Sequence, residues 1–173
     1  MKSIKFIISA LALSGSLTAC ANEKSASPSE KIVPKVIINY DNQGSCSFPY
    51  SPVDFCDEHH IEEVRNALEL SQPNFNKNYL VSTITERPEY HQKSIVVIDP
   101  ATGYFYPLPI DFFSGTPSQY DPEGRFGKIE YNLESNSICL TGDILVYRSI
   151  KSGKFCFDFD GRKFSGFETE YMN

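Results

Sequence analysis

Four cysteines outside the first twenty residues, Cys46, Cys56, Cys139 and Cys156, constrain the fold most. In an exported chain an even number of cysteines reads as disulfides, which fasten a modest core. Four cysteines allow three pairings. Cys46 with Cys56 and Cys139 with Cys156 is favoured, because each pair is local. No two cysteines have the roughly two-to-four-residue spacing of a common structural zinc site, so metal ligation is the weaker reading.

The first twenty residues supply the export. They read MKSIKFIISALALSGSLTAC. Lys2 and Lys5 flank the start of an apolar run from Phe6 to Leu13, and small residues follow. That is the layout of a secretory signal. The run is shorter than the about 20 apolar residues that a transmembrane helix needs. Leu17-Thr18-Ala19-Cys20 resembles a bacterial lipobox. The resemblance implies that Cys20 carries a diacylglycerol on its sulfur, that the chain is cut before it, and that the new amine is acylated. One acyl chain binds a membrane reversibly, at about 0.8 kcal/mol per buried CH₂, and several anchor it stably. Ala21 follows Cys20 rather than Asp, which by the same resemblance implies the outer membrane, facing the periplasm.

Removing the 19 residues of the signal, 1–19, leaves 154 of the 173 and takes away Lys2 and Lys5, so the formal charge moves from −6 to −8. Residues 20–34 are small and polar and are expected to form a lipidated flexible tether. Residues 35–173 are expected to form a single domain. An acidic chain without a basic stripe suits nucleic acid poorly. Contact with the membrane is expected through the lipid anchor. A basic protein partner is compatible with the charge, which does not by itself select one. No cofactor and no metal is expected.

Residues 35–40, KVIINY, are β-branched and read as a first strand. Ile61, Val64, Ala67 and Leu68 have one-face helical spacing. Asp57 is placed to cap a helix there, and with Glu58 it suits the positive end of the dipole. A helix is predicted over 58–70, ended before Pro73. Residues 79–85 and 94–99 read as strands, with Pro100-Ala101-Thr102-Gly103 turning into a hairpin partner at Tyr104-Phe105-Tyr106. Residues 107–127 hold four prolines and read as a long loop. Strands are predicted at 128–133, 137–140, 144–149, 154–159 and 163–167, with turns at Ser152-Gly153 and Asp160-Gly161. Phe155, Phe157 and Phe159 alternate with polar residues, as a core-facing stripe would. The fold class expected is α+β, a mainly antiparallel sheet with one helix packed on it.

Gln72-Pro73-Asn74-Phe75 leading into a strand, the strand–Thr102-Gly103–strand hairpin, and Phe157-Asp158-Phe159-Asp160-Gly161 ending in Phe164 together resemble a loose group of small exported bacterial proteins. The resemblance spans about Gln72 to Phe167. It implies a fold and no particular chemistry. Many members carry a cysteine-bearing turn where this chain has residues 86–91, which lack cysteine.

No catalytic constellation is expected. Asp57-Glu58-His59-His60 is dense in potential ligands, but adjacent helical residues point about 100° apart, and the zincin spacing is missing. A solvated helix start is the better reading. His91, beside Tyr90 and Glu89, could serve acid–base chemistry, yet no recognisable nucleophile accompanies it. Asp158, Asp160 and Asp143 read as the polar outer face of a strand. The aromatics from Tyr104 onward read first as caps on the core. Their second reading is a partner-binding set of Tyr104, Tyr106, Phe112, Phe113 and Tyr120. The expected function is protein binding rather than catalysis, with an immunity protein against a periplasmic toxin favoured. An envelope assembly or stability lipoprotein is the alternative, and a cell-envelope hydrolase stands third.

Overall fold

A computed structural model describes residues 32–38, 44–116 and 126–172. The signal, Cys20, most of the tether and Tyr120 lie outside the described residues. The described elements are β1 (Lys35–Val36), α1 (Glu58–Leu70), β2 (Leu80–Arg87), β3 (Gln92–Ile98), β4 (Tyr104–Pro107), β5 (Phe112–Ser114), β6 (Lys128–Glu130), β7 (Ser137–Val146), β8 (Ser149–Phe159) and β9 (Phe164–Gly166). A short 3₁₀ turn, Pro88–Tyr90, joins β2 to β3. The class is α+β, with one curled sheet of nine strands and one helix among the described residues. No helix among them is long and apolar enough to cross a membrane.

The sheet runs β1-β4-β3-β5-β7-β8-β9, with β2 on the other side of β3 and β6 also pairing with β7. It is mixed: β1 runs parallel to β4, and the other pairings are antiparallel. The strand expected at 35–40 is shorter than its composition suggests, although Ile37 N–H still donates to Phe105 O at 2.8 Å. β7 is continuous where two strands were expected. Gly142 keeps it so: it sits at φ 152°, and a Cβ there would collide with the Ser114 carbonyl of β5. The turn expected at Ser152-Gly153 lies inside β8. The chain reverses instead at Tyr147-Arg148, between the paired residues Val146 and Ser149. The loop expected at 107–127 contains β5, because Leu108, Ile110, Phe112 and Phe113 are buried and Phe112–Ser114 pairs with β7.

α1 forms where the spacing predicts it. The Asp57 side chain caps it, accepting from His60 N–H at 2.8 Å. Val64 is fully buried, and Ile61, Ala67 and Leu68 pack against the core from the same face. Phe157, Phe159, Phe105 and Phe113 fill the centre of that core, each worth about 1.5–3 kcal/mol in burial. The alternation expected for 155–159 holds, with all three rings on the buried face.

Both favoured disulfides are present: Cys46–Cys56 and Cys139–Cys156. Cys139 faces Cys156 directly across β7 and β8, with Cα atoms 4.1 Å apart. A directly opposed, closely spaced antiparallel pair brings two Cβ atoms within bridging reach.

Among the described residues β2 pairs with β3 alone, and side chains plug its other edge. The Asn74 carboxamide takes Val81 N–H at 2.8 Å and donates to Val81 O at 3.3 Å, copying a strand partner. His59 Nε2–H donates to Thr85 O at 3.0 Å. Blocking an edge in this way removes a template for unwanted pairing.

Candidate functional site

Three clusters of polar or exposed side chains stand out. The first is at the start of α1. His60 is buried and lies between two carboxylates, with Nδ1 2.7 Å from Asp57 Oδ1 and Nε2 2.8 Å from Glu86 Oε1. Phe55 meets the ring edge-on. Burial alone would depress the imidazole pKa, but hydrogen bonds and charge from Glu86 and Asp57 outweigh it, and the pKa is raised. Burial likewise pushes the Asp57 carboxyl up, yet bonds from the His60 backbone and ring hold it below its usual value. The helix start expected to be solvated is therefore in part a buried ionic clamp between α1 and β2. With both ring nitrogens engaged, His60 has no free nitrogen for a metal or a proton relay. It is structural.

The second cluster is Asp111, buried behind the β7–β8 turn. The Tyr171 hydroxyl donates to both its oxygens, at 2.7 and 2.9 Å, and Tyr147 N–H donates to Oδ2 at 3.2 Å. Burial raises the Asp111 pKa against the lowering effect of its hydrogen bonds with Ser51, Tyr171 and Tyr147. The Tyr171 hydroxyl is also pushed far up by burial and by Asp111. This network fixes the backbone of Tyr147.

The third cluster is what Tyr147 presents. Tyr147 and Arg148 both adopt left-handed backbone conformations, φ 46° and 69°. A two-residue turn with φ > 0 at both positions favours Asn and Gly, so two bulky residues there are strained. Tyr50, at φ 63°, packs edge-on against Tyr147 with ring centroids 5.5 Å apart. Tyr50 is 74% exposed, Tyr147 44% and Ile150 70%. Strain of about 1–3 kcal/mol per residue tends to persist where function requires it. Exposed tyrosines on a rigid support suit protein recognition, because they bring large contact area with little freedom to lose.

A cleft of about 220 Å³ adjoins this patch, lined by Tyr90, Gln92, Phe112, Ser114, Asp143 and Ile150 among others. His91, also at its rim, is left-handed at φ 54°, and its ring meets that of Phe126 at a tilt, with centroids 4.8 Å apart. The patch and the cleft meet at Ile150, three residues beyond Tyr147.

The structure places the sequence-derived candidates unevenly. Tyr106 and Phe113 are buried in the core, a correction to their reading as docking residues, and Phe112, on the other face of β5 from Phe113, is buried as well, at the floor of the cleft. Tyr104 is 38% exposed, with Lys35 Nζ 5.8 Å from its ring, on β4, away from Tyr147. Asp158 accepts from the Ser137 hydroxyl, and Asp160 accepts from the backbone of Arg162 and Lys163 in a turn. Asp143 stands apart from both and lines the cleft. Among the described residues the one grouping within ligand reach, Cys46, Asp54 and Cys56, has both sulfurs in a disulfide. Sequence reading missed Tyr50, Tyr147 and Ile150. Its available signal was an exposed aromatic and a β-branched residue around a turn without turn residues.

The chain matches no protein-family model, and no curated protein or solved structure is significantly similar to it.

Proposed function

We propose that this chain is a lipoprotein of the outer membrane, held by Cys20 and facing the periplasm, that acts by binding a protein. The role we favour is immunity, the neutralising of a toxin delivered to that compartment. The observation that carries the binding reading is the strained, exposed Tyr50–Tyr147 pair, fixed from beneath by Asp111 and Tyr171. Holding bulky residues in left-handed turns costs free energy that binding can repay. The export reading draws on the lipobox-like segment and on two disulfides, which persist in oxidising compartments. The acidic character of the mature chain favours encounter with a basic partner.

Tagged full-length chain, purified from cells exposed to a neighbour's secreted toxin, should retain that toxin. The double variant Tyr50→Asp, Tyr147→Asp should release it while keeping the wild-type circular dichroism. Failure of the wild type to retain any toxin rejects the immunity role. Equal retention by the variant rejects the tyrosine face.

A further inference from the structure

The cleft beside the tyrosines has a definite chemistry, and strand register explains it. Lys93 of β3 faces Phe113 of β5. Phe113 and Ser114 face Ile144 and Asp143 of β7, and Phe112 faces Leu145. Leu145 in turn faces Ile150 of β8. Directly opposed residues share a sheet face, and their neighbours in sequence point to the other. Gln92, Ser114 and Asp143 therefore form a polar row across one face, and Phe112, Leu145 and Ile150 form an apolar row beside it. All six line the cleft. Tyr90 and His91 close one side.

The polar row is rich in acceptors. Asp143 carries a carboxylate, oriented by the Thr116 hydroxyl, which donates to Oδ1 at 2.6 Å. A carboxylate accepts several donors at once. The Gln92 Oε1 atom is buried and has no hydrogen-bond partner, a state that costs free energy until a donor arrives. Lys93 points to the opposite face of β3, and Arg87 lies over the Phe112 ring, 5.0 Å from its centroid. A volume of about 220 Å³ falls below the roughly 300–1,000 Å³ of small-molecule pockets and suits one long side chain. An apolar row for a stem and an acceptor row for a charged head describe a receptor for a basic side chain, which buries its methylenes and keeps its charge paired.

We infer that this cleft receives a lysine or arginine side chain presented by the protein partner. This deepens the binding reading and rests on it. The stem lies on Leu145 and Ile150, beside the buried Phe112 that Arg87 covers, and the head reaches Asp143, with the Gln92 amide turning its oxygen to a second donor. Tyr50 and Tyr147 then meet the surface around that side chain. An acidic chain, of formal charge −6 and of −8 once residues 1–19 are removed, draws such a partner in.

The test is a titration of the ¹⁵N-labelled full-length chain in detergent micelles with N-acetyl-L-arginine methylamide. Saturable shifts at the amides of Gln92, Ser114, Asp143 and Ile150 are expected. Asp143→Asn should weaken binding about tenfold, the scale of a hydrogen bond to a charged group. Ile150→Ala, at an exposed position, should weaken the arginine probe more than methylguanidinium, which lacks the stem. The neutral N-acetyl-L-norleucine methylamide should bind more weakly than arginine. Shifts that do not saturate, equal binding by norleucine, or binding unchanged in both variants overturns the proposal. The titration reads the cleft without the partner. Saturable arginine binding with no toxin retained sinks the immunity role and keeps the cleft, whereas toxin retained with no arginine binding sinks the cleft alone.

Discussion

Glu86 Oε1 lies 2.8 Å from Nε2 of His60, and this contact ties the first turn of α1 to the end of β2. Asp57 holds the opposite nitrogen. A carboxylate accepts and does not donate, so the two contacts are satisfied together when both ring nitrogens carry protons, and the two carboxylates raise the His60 pKa accordingly.

The pH dependence of stability follows from that charge. The folded His60 pKa is raised above its ordinary value of about 6.5. Such a group stabilises fully below its unfolded pKa and loses its contribution as pH rises through the folded value. Unfolding free energy should therefore fall as pH rises from about 6.5 through the raised folded value. Glu86→Gln should flatten that fall, and His60→Ala, which strips the largely buried Glu86 of its cation, should cost about 3 kcal/mol at pH 6. Urea denaturation at stepped pH measures both. A pH profile that Glu86→Gln leaves unchanged contradicts the clamp.

The two disulfides should differ in what they protect. Replacing either pair by alanine should cost about 3 kcal/mol, since each closes a loop of similar length. Loss of Cys46–Cys56 should speed hydrogen exchange across residues 44–57, which lack strand pairing and lead into the Asp57 cap. Loss of Cys139–Cys156 should leave β7 and β8 protected, because their register runs unbroken from Ser137 to Val146. Identical exchange maps for the two variants would contradict this division.

The turn between β7 and β8 should trade stability against binding. Tyr147→Asn with Arg148→Gly places residues that accept φ > 0 where the backbone already has it. Thermal melts should show a gain of about 1–2 kcal/mol. The same variant should lose the toxin that the wild type retains. A destabilised variant, or a stabilised one that still binds, would show that the strain serves no recognition.

Much of the fold is legible in the sequence where interactions are local. Asp57 and the Ile61–Val64–Leu68 spacing mark α1. Ser94 to Tyr106 carries its own turn in Asp99, Thr102 and Gly103, where Thr102 and Ala101 bond to the Asp99 carboxylate. The two disulfides join cysteines close in sequence.

What escaped reading depends on residues far apart in the chain. β5 is three residues long in a proline-rich stretch, and its existence rests on β3 and β7. Thr141-Gly142 reads as a turn, yet the glycine is there so that the Ser114 carbonyl can approach β7. His60 looks solvated until Glu86, 26 positions away, comes alongside it. The cleft draws on four strands and the Tyr90–His91 turn, so no local pattern announces it. Tyr147-Arg148 carries none of the residues that usually mark a turn, and for that reason the strained site stayed hidden behind Ser152-Gly153.

The most direct measurement is survival in co-culture. A strain deleted for this chain grows beside its intact parent, complemented with wild type, with the Tyr50→Asp, Tyr147→Asp variant, or with an empty vector. The empty-vector strain should be killed on contact, wild type should restore survival, and the membrane-localised variant should not. Equal survival of the deletion strain with an empty vector and with the wild-type chain would contradict the immunity role.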